Sequence, residues 1–123
     1  MPYEPLEEKR VYRRAEALCD RVWEVVVGWE WFAKRTVGDQ FARAADSIGA
    51  NIAEAGGRFH PKEVQNHLYY ARGSLRETKF WQRRALTRGL IDPDAAAALD
   101  QELEQLGREI NECINYQESR STT

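Results

Sequence analysis

Phe41-Ala-Arg-Ala-Ala-Asp-Ser-Ile-Gly-Ala-Asn-Ile-Ala-Glu-Ala-Gly-Gly-Arg58, a break at His60-Pro61, and then Ala71-Arg-Gly-Ser-Leu-Arg-Glu77 inside a long periodic run decide how this 123-residue chain folds. Phe41, Ala44, Ala45, Ile48, Ile52 and Ala55 recur at three and four, which places them on one apolar helical face. Ser47, Asn51, Glu54 and Arg58, spaced four, three and four, draw a polar stripe beside it. Gly56-Gly57 are expected to stop this helix by reaching positive φ. Gly49 in its interior costs about 1 kcal/mol against alanine, which predicts the close approach of a neighbouring helix. Thr36, with Asp39 three residues on and Gln40 next, is the expected N-cap.

Pro61 at a first helical position and Glu63 in a first turn open the next helix. Val64, Leu68, Ala71, Leu75, Thr78, Gln82 and Ala85 form its core stripe, softened by polar residues toward the end. The face beside that stripe carries Lys62, Gln65, Tyr69, Arg72, Arg76, Lys79 and Arg83, a basic row interrupted by one aromatic. Away from the core lie Tyr70, Gly73, Glu77, Phe80 and Arg84. Aromatic side chains beside a glycine on an outer face predict a subunit interface, and Tyr69, Tyr70, Phe80 and Trp81 cannot all fit one core stripe.

Working outward, a first helix is expected from near Leu6, with Val11, Ala15, Leu18, Val22, Val25 and Trp29 as its buried stripe. The run Trp29-Glu-Trp-Phe-Ala-Lys-Arg35 leaves its end open, near residue 30 or on to Trp31 or Phe32 before a short connection, and three aromatics there are expected to cap the end of the core. Gly89 ends the third helix, and Asp92-Pro93-Asp94 starts a fourth, with Asp92 as N-cap and Pro93 at its first position. Ala96, Leu99, Leu103, Leu106, Ile110 and Cys113 supply its apolar face. No strand-period segment or internal repeat occurs. The pattern predicts an all-α, antiparallel up-down four-helix bundle as a single domain of residues 1–123, with helices over about residues 6–30, 37–56, 61–88 and 93–117.

A net charge of −2 hides an asymmetry: residues 58–88 are +6 and residues 89–123 are −6. Either the basic and acidic helices neutralise each other, within or between chains, or the basic one meets an anionic partner. Composition, 42% apolar and 31% charged without a long apolar run, predicts a soluble cytoplasmic protein with no membrane partner. Cys19 and Cys113 stand far apart on apolar faces, as two reduced core thiols would.

Ser47-Ile-Gly-Ala-Asn-Ile-Ala-Glu54 with Gly57-Arg58, and Ala71-Arg-Gly-Ser-Leu-Arg-Glu77, resemble the four-helix-bundle family of proteins encoded within intervening sequences of bacterial 23S ribosomal RNA genes. Gln40 and Arg43 fit the same pattern, while Ala55 departs from it where the family more often has glycine. The resemblance implies a homo-oligomer, a pentameric ring of bundles, and a role with RNA. A sister group, the accessory proteins of diversity-generating retroelements, works with a reverse transcriptase and nucleic acid, which adds such an enzyme or another protein to the expected partners.

The residues themselves supply little catalytic chemistry. Ser47, Asn51, Glu54 and Arg58 are expected to form a polar seam across helices, with Glu54 paired to Arg58 or to Arg72. No second carboxylate accompanies Glu54 on that stripe, and His60 and His67 lack partners at metal-ligand spacing, so neither an enzyme nor a cofactor is expected. The functional candidate is the basic stripe of Lys62, Arg72, Arg76, Lys79 and Arg83, about 30 Å long at 1.5 Å per residue, which can follow an RNA or DNA backbone. The alternative is that these charges serve subunit assembly.

Overall fold

A computed structural model describes residues 9–121 as four helices packed against one another, with no strand among the described residues. Helix α1, Arg10–Val27, follows an extended Lys9; the expected start near Leu6 lies outside the described residues. Gly28 closes α1, and the Trp29 N–H donates to the Val26 carbonyl at 3.0 Å. Of the two endings the sequence left open, the continuation to Trp31 or Phe32 does not occur, and the helix stops before residue 30.

A new helix, α2, begins there instead, as an α turn Trp31–Ala33, a π segment Lys34–Gly38 and an α run Asp39–Gly56. Its cap is Glu30, whose carboxylate accepts from the N–H groups of Phe32 at 2.9 Å and Ala33 at 2.7 Å. The expectation of Thr36 as N-cap is thus corrected. Thr36 lies inside the helix, and its hydroxyl donates back to the Phe32 carbonyl at 2.8 Å. The aromatic cap of the core also shrinks to one residue. Trp29 stacks on Phe41, centroids 6.3 Å apart, whereas Trp31 and Phe32 are exposed.

α2 stops at Gly57 with φ −91°, not by a left-handed residue as expected. The left-handed glycine is Gly89, φ +72°, after helix α3, Pro61–Thr87. There the Leu90 N–H donates to the Ala85 carbonyl at 2.8 Å and the Gly89 N–H to the Leu86 carbonyl at 3.1 Å, a Schellman termination. Helix α4, Pro93–Ser121, opens as the sequence predicts, with the Ala95 N–H donating to the Asp92 carboxylate at 3.3 Å.

Consecutive helices pack side by side, and α4 closes against α1. Phe41, Leu18, Ile48, Leu99, Leu103, Leu106 and Ile110 are fully buried, and Ile52, Leu68 and Leu75 join them in the core. The polar residues of the α3 stripe find partners. The Thr78 hydroxyl donates to the Ser74 carbonyl at 2.7 Å, and the Gln82 amide to the Ala96 carbonyl at 2.9 Å.

Two buried glycines of α2 face α1 and differ. A Cβ on Gly38 would stand 2.8 Å from Val26 Cγ1 and 3.3 Å from the Ala33 carbonyl. One on Gly49 would meet Cys19 Sγ at 3.6 Å and Ala15 Cβ at 3.9 Å, ordinary contact distances. The close approach expected at Gly49 occurs at Gly38.

Candidate functional site

Helix α3 presents three functional faces because its apolar stripe is narrow: one side meets α2, one meets α4, and the third faces outward. On the α2 side the polar seam is a chain of hydrogen bonds. The Asn51 amide donates to the Ser47 carbonyl at 2.9 Å and to its hydroxyl at 3.2 Å, and the Ser74 hydroxyl donates to Ser47 Oγ at 2.9 Å. Glu54 takes Arg58, at 3.0 Å, and not Arg72. The pair is exposed and contributes little to stability. The seam holds no nucleophile–base pair: Ser74 is engaged with Ser47, and no group of His, Cys, Asp and Glu among the described residues could hold a metal ion. His60 is exposed; His67 is half-buried with its edge against Tyr70.

On the α4 side the basic stripe divides. Lys79 Nζ lies 2.5 Å from Glu104 Oε1, and the Arg72 guanidinium donates to Asn111 Oδ1 at 3.1 Å while stacking over the Tyr69 ring at 5.0 Å. The hydrogen bond and charge of Lys79 hold the Glu104 carboxyl below the usual carboxylate range. Lys62, Arg76 and Arg83 are exposed and make no ion pair among the described residues. Two of the five stripe residues are thus tied to α4, and three present charge to solvent.

The acidic helix also draws on a source outside the stripe. Arg14 bonds Glu109, and Arg21 Nη1 lies 2.6 Å from Glu102 Oε1, two rungs that tie α1 to α4. Glu109 is buried, with Oε1 also accepting from Gln105 at 3.3 Å.

The outward face of α3 carries Tyr69, Tyr70 and Phe80, which are 41%, 60% and 53% exposed. Gly73 sits between them, and a Cβ added there would meet nothing within 4 Å. Trp81 is placed differently. It is half-buried and packs against the core, its edge 4.9 Å from the Phe80 ring centroid to centroid.

The thiols are free, as expected. Cys19 donates to the Ala45 carbonyl at 3.1 Å, and burial, helped by Asp46, pushes its pKa up to about 12. Burial and the Glu109 charge raise Cys113 as well. Neither is poised as a reactive thiolate. No helix among the described residues is long and apolar enough to cross a membrane.

No curated protein matches the chain. Among solved structures, a protein of unknown function from the S23 ribosomal protein family of Bacteroides thetaiotaomicron superposes with a TM-score of 0.76 at 20% identity, over 85% of this chain and 97% of that one. At that identity the likeness shows the fold: an all-α bundle of four packed helices. The profile of the 23S rRNA-intervening sequence proteins matches residues 7–112, nearly the whole length of the described helices. The chain therefore belongs to the 23S rRNA-intervening sequence protein family.

Proposed function

We propose that this protein is a non-enzymatic homo-oligomeric bundle whose copies associate through the outward face of α3. The observation that carries this reading is the open surface at Gly73, flanked by Tyr69, Tyr70 and Phe80. Three large rings exposed over two fifths or more of their surface around a residue with no side chain are costly in water, and they offer a neighbouring helix a flat approach. The family resemblance implies a pentameric ring. Sedimentation velocity of the wild type and of Phe80→Arg tests the reading. The wild type should sediment as a multiple of 14.2 kDa and the variant as a smaller species. A wild type that stays at 14.2 kDa at micromolar concentration overturns it.

A second reading, RNA or DNA binding along the α3–α4 edge, is favoured by the exposed and unbridged Lys62, Arg76 and Arg83. Repetition of three cations around an oligomer would add their contacts through multivalency. Arg76→Ala with Arg83→Ala should weaken binding and its salt dependence without changing the oligomer. Absence of binding to either nucleic acid at low salt would leave the charges to assembly.

A further inference from the structure

A cleft of about 440 Å³ that belongs to none of these faces lies between the last turns of α1 and the π segment with the start of the α run of α2. Its walls are apolar: Trp23, Val26 and Val27 from α1, Gly38 and Ala42 from α2. Trp23 is 61% exposed over the opening. The size falls in the range of pockets that bury a small organic ligand, about 300–1,000 Å³.

Three charged residues stand at the mouth: Lys34, Arg35 and Asp39. Asp39 is engaged by a neighbour on its own helix, its Oδ1 accepting from Arg43 Nε at 2.9 Å. Lys34 and Arg35 make no ion pair among the described residues. Arg35 is also held in place, with its guanidinium 4.9 Å from the centroid of the Trp31 ring. Stacking leaves the edge of the guanidinium, with its N–H donors, available to a ligand, and orders it before binding.

The cleft thus combines apolar walls with two uncompensated cations at one end. Inorganic phosphate would leave the walls wet, and a neutral hydrophobe would leave the cations unused. A polyanion is opposed by Asp20 and Glu24, exposed one turn along α1 from Trp23 and Val27, and by Asp46, one turn along α2 from Ala42. We infer that this cleft binds a small amphipathic organic anion, with its aromatic or aliphatic body against Trp23, Val27 and Ala42 and its carboxylate or sulfonate on Lys34 and Arg35. Gly38 supports the site by letting α1 and α2 close beneath it; a side chain there would collide with Val26.

Lys34, Gly38 and Ala42 follow one another at intervals of four, which sets them on one helical face with Arg35 beside them, and the π segment Lys34–Gly38 runs through that face. It adds one residue to the helical turn just ahead of the α run, at a place where such insertions commonly accompany function.

The test uses two probes with nearly the same body, 1-anilinonaphthalene-8-sulfonate and its uncharged analogue N-phenyl-1-naphthylamine, titrated by fluorescence into the full-length protein. The sulfonate probe should bind saturably with one site per chain and be displaced by decanoate. Lys34→Ala with Arg35→Ala should weaken the sulfonate about tenfold or more, the scale of a lost charge-assisted contact, and the neutral probe less than about twofold. Ala42→Trp, checked for native helicity, should exclude both. Phe80→Arg, on the outward face of α3 and not among the residues that line the cleft, should leave binding unchanged, which separates the cleft from the α3 aromatics. The inference is overturned if no saturable site exists, if the double alanine variant weakens both probes equally, if Phe80→Arg abolishes the site, or if an acidic peptide or oligonucleotide displaces the probe and decanoate does not.

Discussion

Gly38 and Gly49 lie eleven residues apart in α2, both buried against α1, yet alanine should act on them with opposite signs. Replacing either glycine inside a helix gains about 1 kcal/mol from propensity alone. At Gly49 the added methyl falls at 3.6 Å from Cys19 Sγ and 3.9 Å from Ala15 Cβ, so it fills space without displacing anything and adds burial of its own. Gly49→Ala should therefore stabilise the protein by about 1 kcal/mol or somewhat more. At Gly38 the methyl would stand 2.8 Å from Val26 Cγ1, and Val26 is buried and β-branched, so it has no free rotamer to retreat into. Overpacking of this kind costs roughly 1–3 kcal/mol; with a stiff neighbour the upper part of that range outweighs the propensity gain and leaves a net loss of about 1–2 kcal/mol. Thermal unfolding at a fixed protomer concentration reads the difference. For a chain of this size 1 kcal/mol corresponds to about 4 °C, so the two variants should melt roughly 10 °C apart on either side of the wild type. Equal shifts of the same sign would show that α1 does not approach α2 as described at the π segment.

Leu75, buried and facing α4 where a Cβ added at Gly107 would meet its methyls at 3.8 Å, should cost about 2–5 kcal/mol as Leu75→Ala, read as a lowered denaturant midpoint; a cost below about 1 kcal/mol would remove it from the core. In a carboxyl NMR titration Glu104 should protonate below the ordinary range and return toward it in Lys79→Ala, since the ammonium is the main cause of the shift. Because the folded pKa is depressed, whatever stability the pair contributes is present above the ordinary carboxylate range and is lost as pH falls through the lowered value; Glu104 is exposed, so that contribution is small. Cys19, with its pKa raised to about 12, should resist iodoacetamide at pH 8 in the folded protein and react on unfolding; rapid native-state alkylation would contradict its burial.

The helical hairpin was legible because Ile48, Ile52, Leu68 and Leu75 recur at helical spacing over long runs, and no competing period exists. The α1–α2 junction was not. A lone glycine such as Gly28 is only a weak helix breaker, and three aromatics look like core until their neighbours are known. Glu30 caps through a carboxylate longer than those of the usual capping residues, so Thr36 appeared the better start. A π turn has no sequence period of its own, which hid the Lys34–Arg35 cleft. The Arg14–Glu109 and Arg21–Glu102 rungs did leave a trace: the two arginines are seven residues apart along α1 and the two glutamates seven apart along α4, in opposite order, as antiparallel neighbours require. Reading charge by segment totals averaged that pattern away, since residues 1–57 nearly balance. The seam at Ser47 and Asn51 was visible from spacing, but its bond to Ser74 depends on the depth of α2–α3 packing, which a single sequence does not carry.

Sedimentation velocity across a hundredfold range of protein concentration tests the central claim most directly. The account predicts a discrete species larger than 14.2 kDa for the wild type, reduced in Phe80→Arg and in Gly73→Leu, whose side chain would fill the open approach, but retained in Gly73→Ala and in Arg76→Ala. A single 14.2 kDa species throughout, or assembly untouched by both α3 face variants, would contradict it.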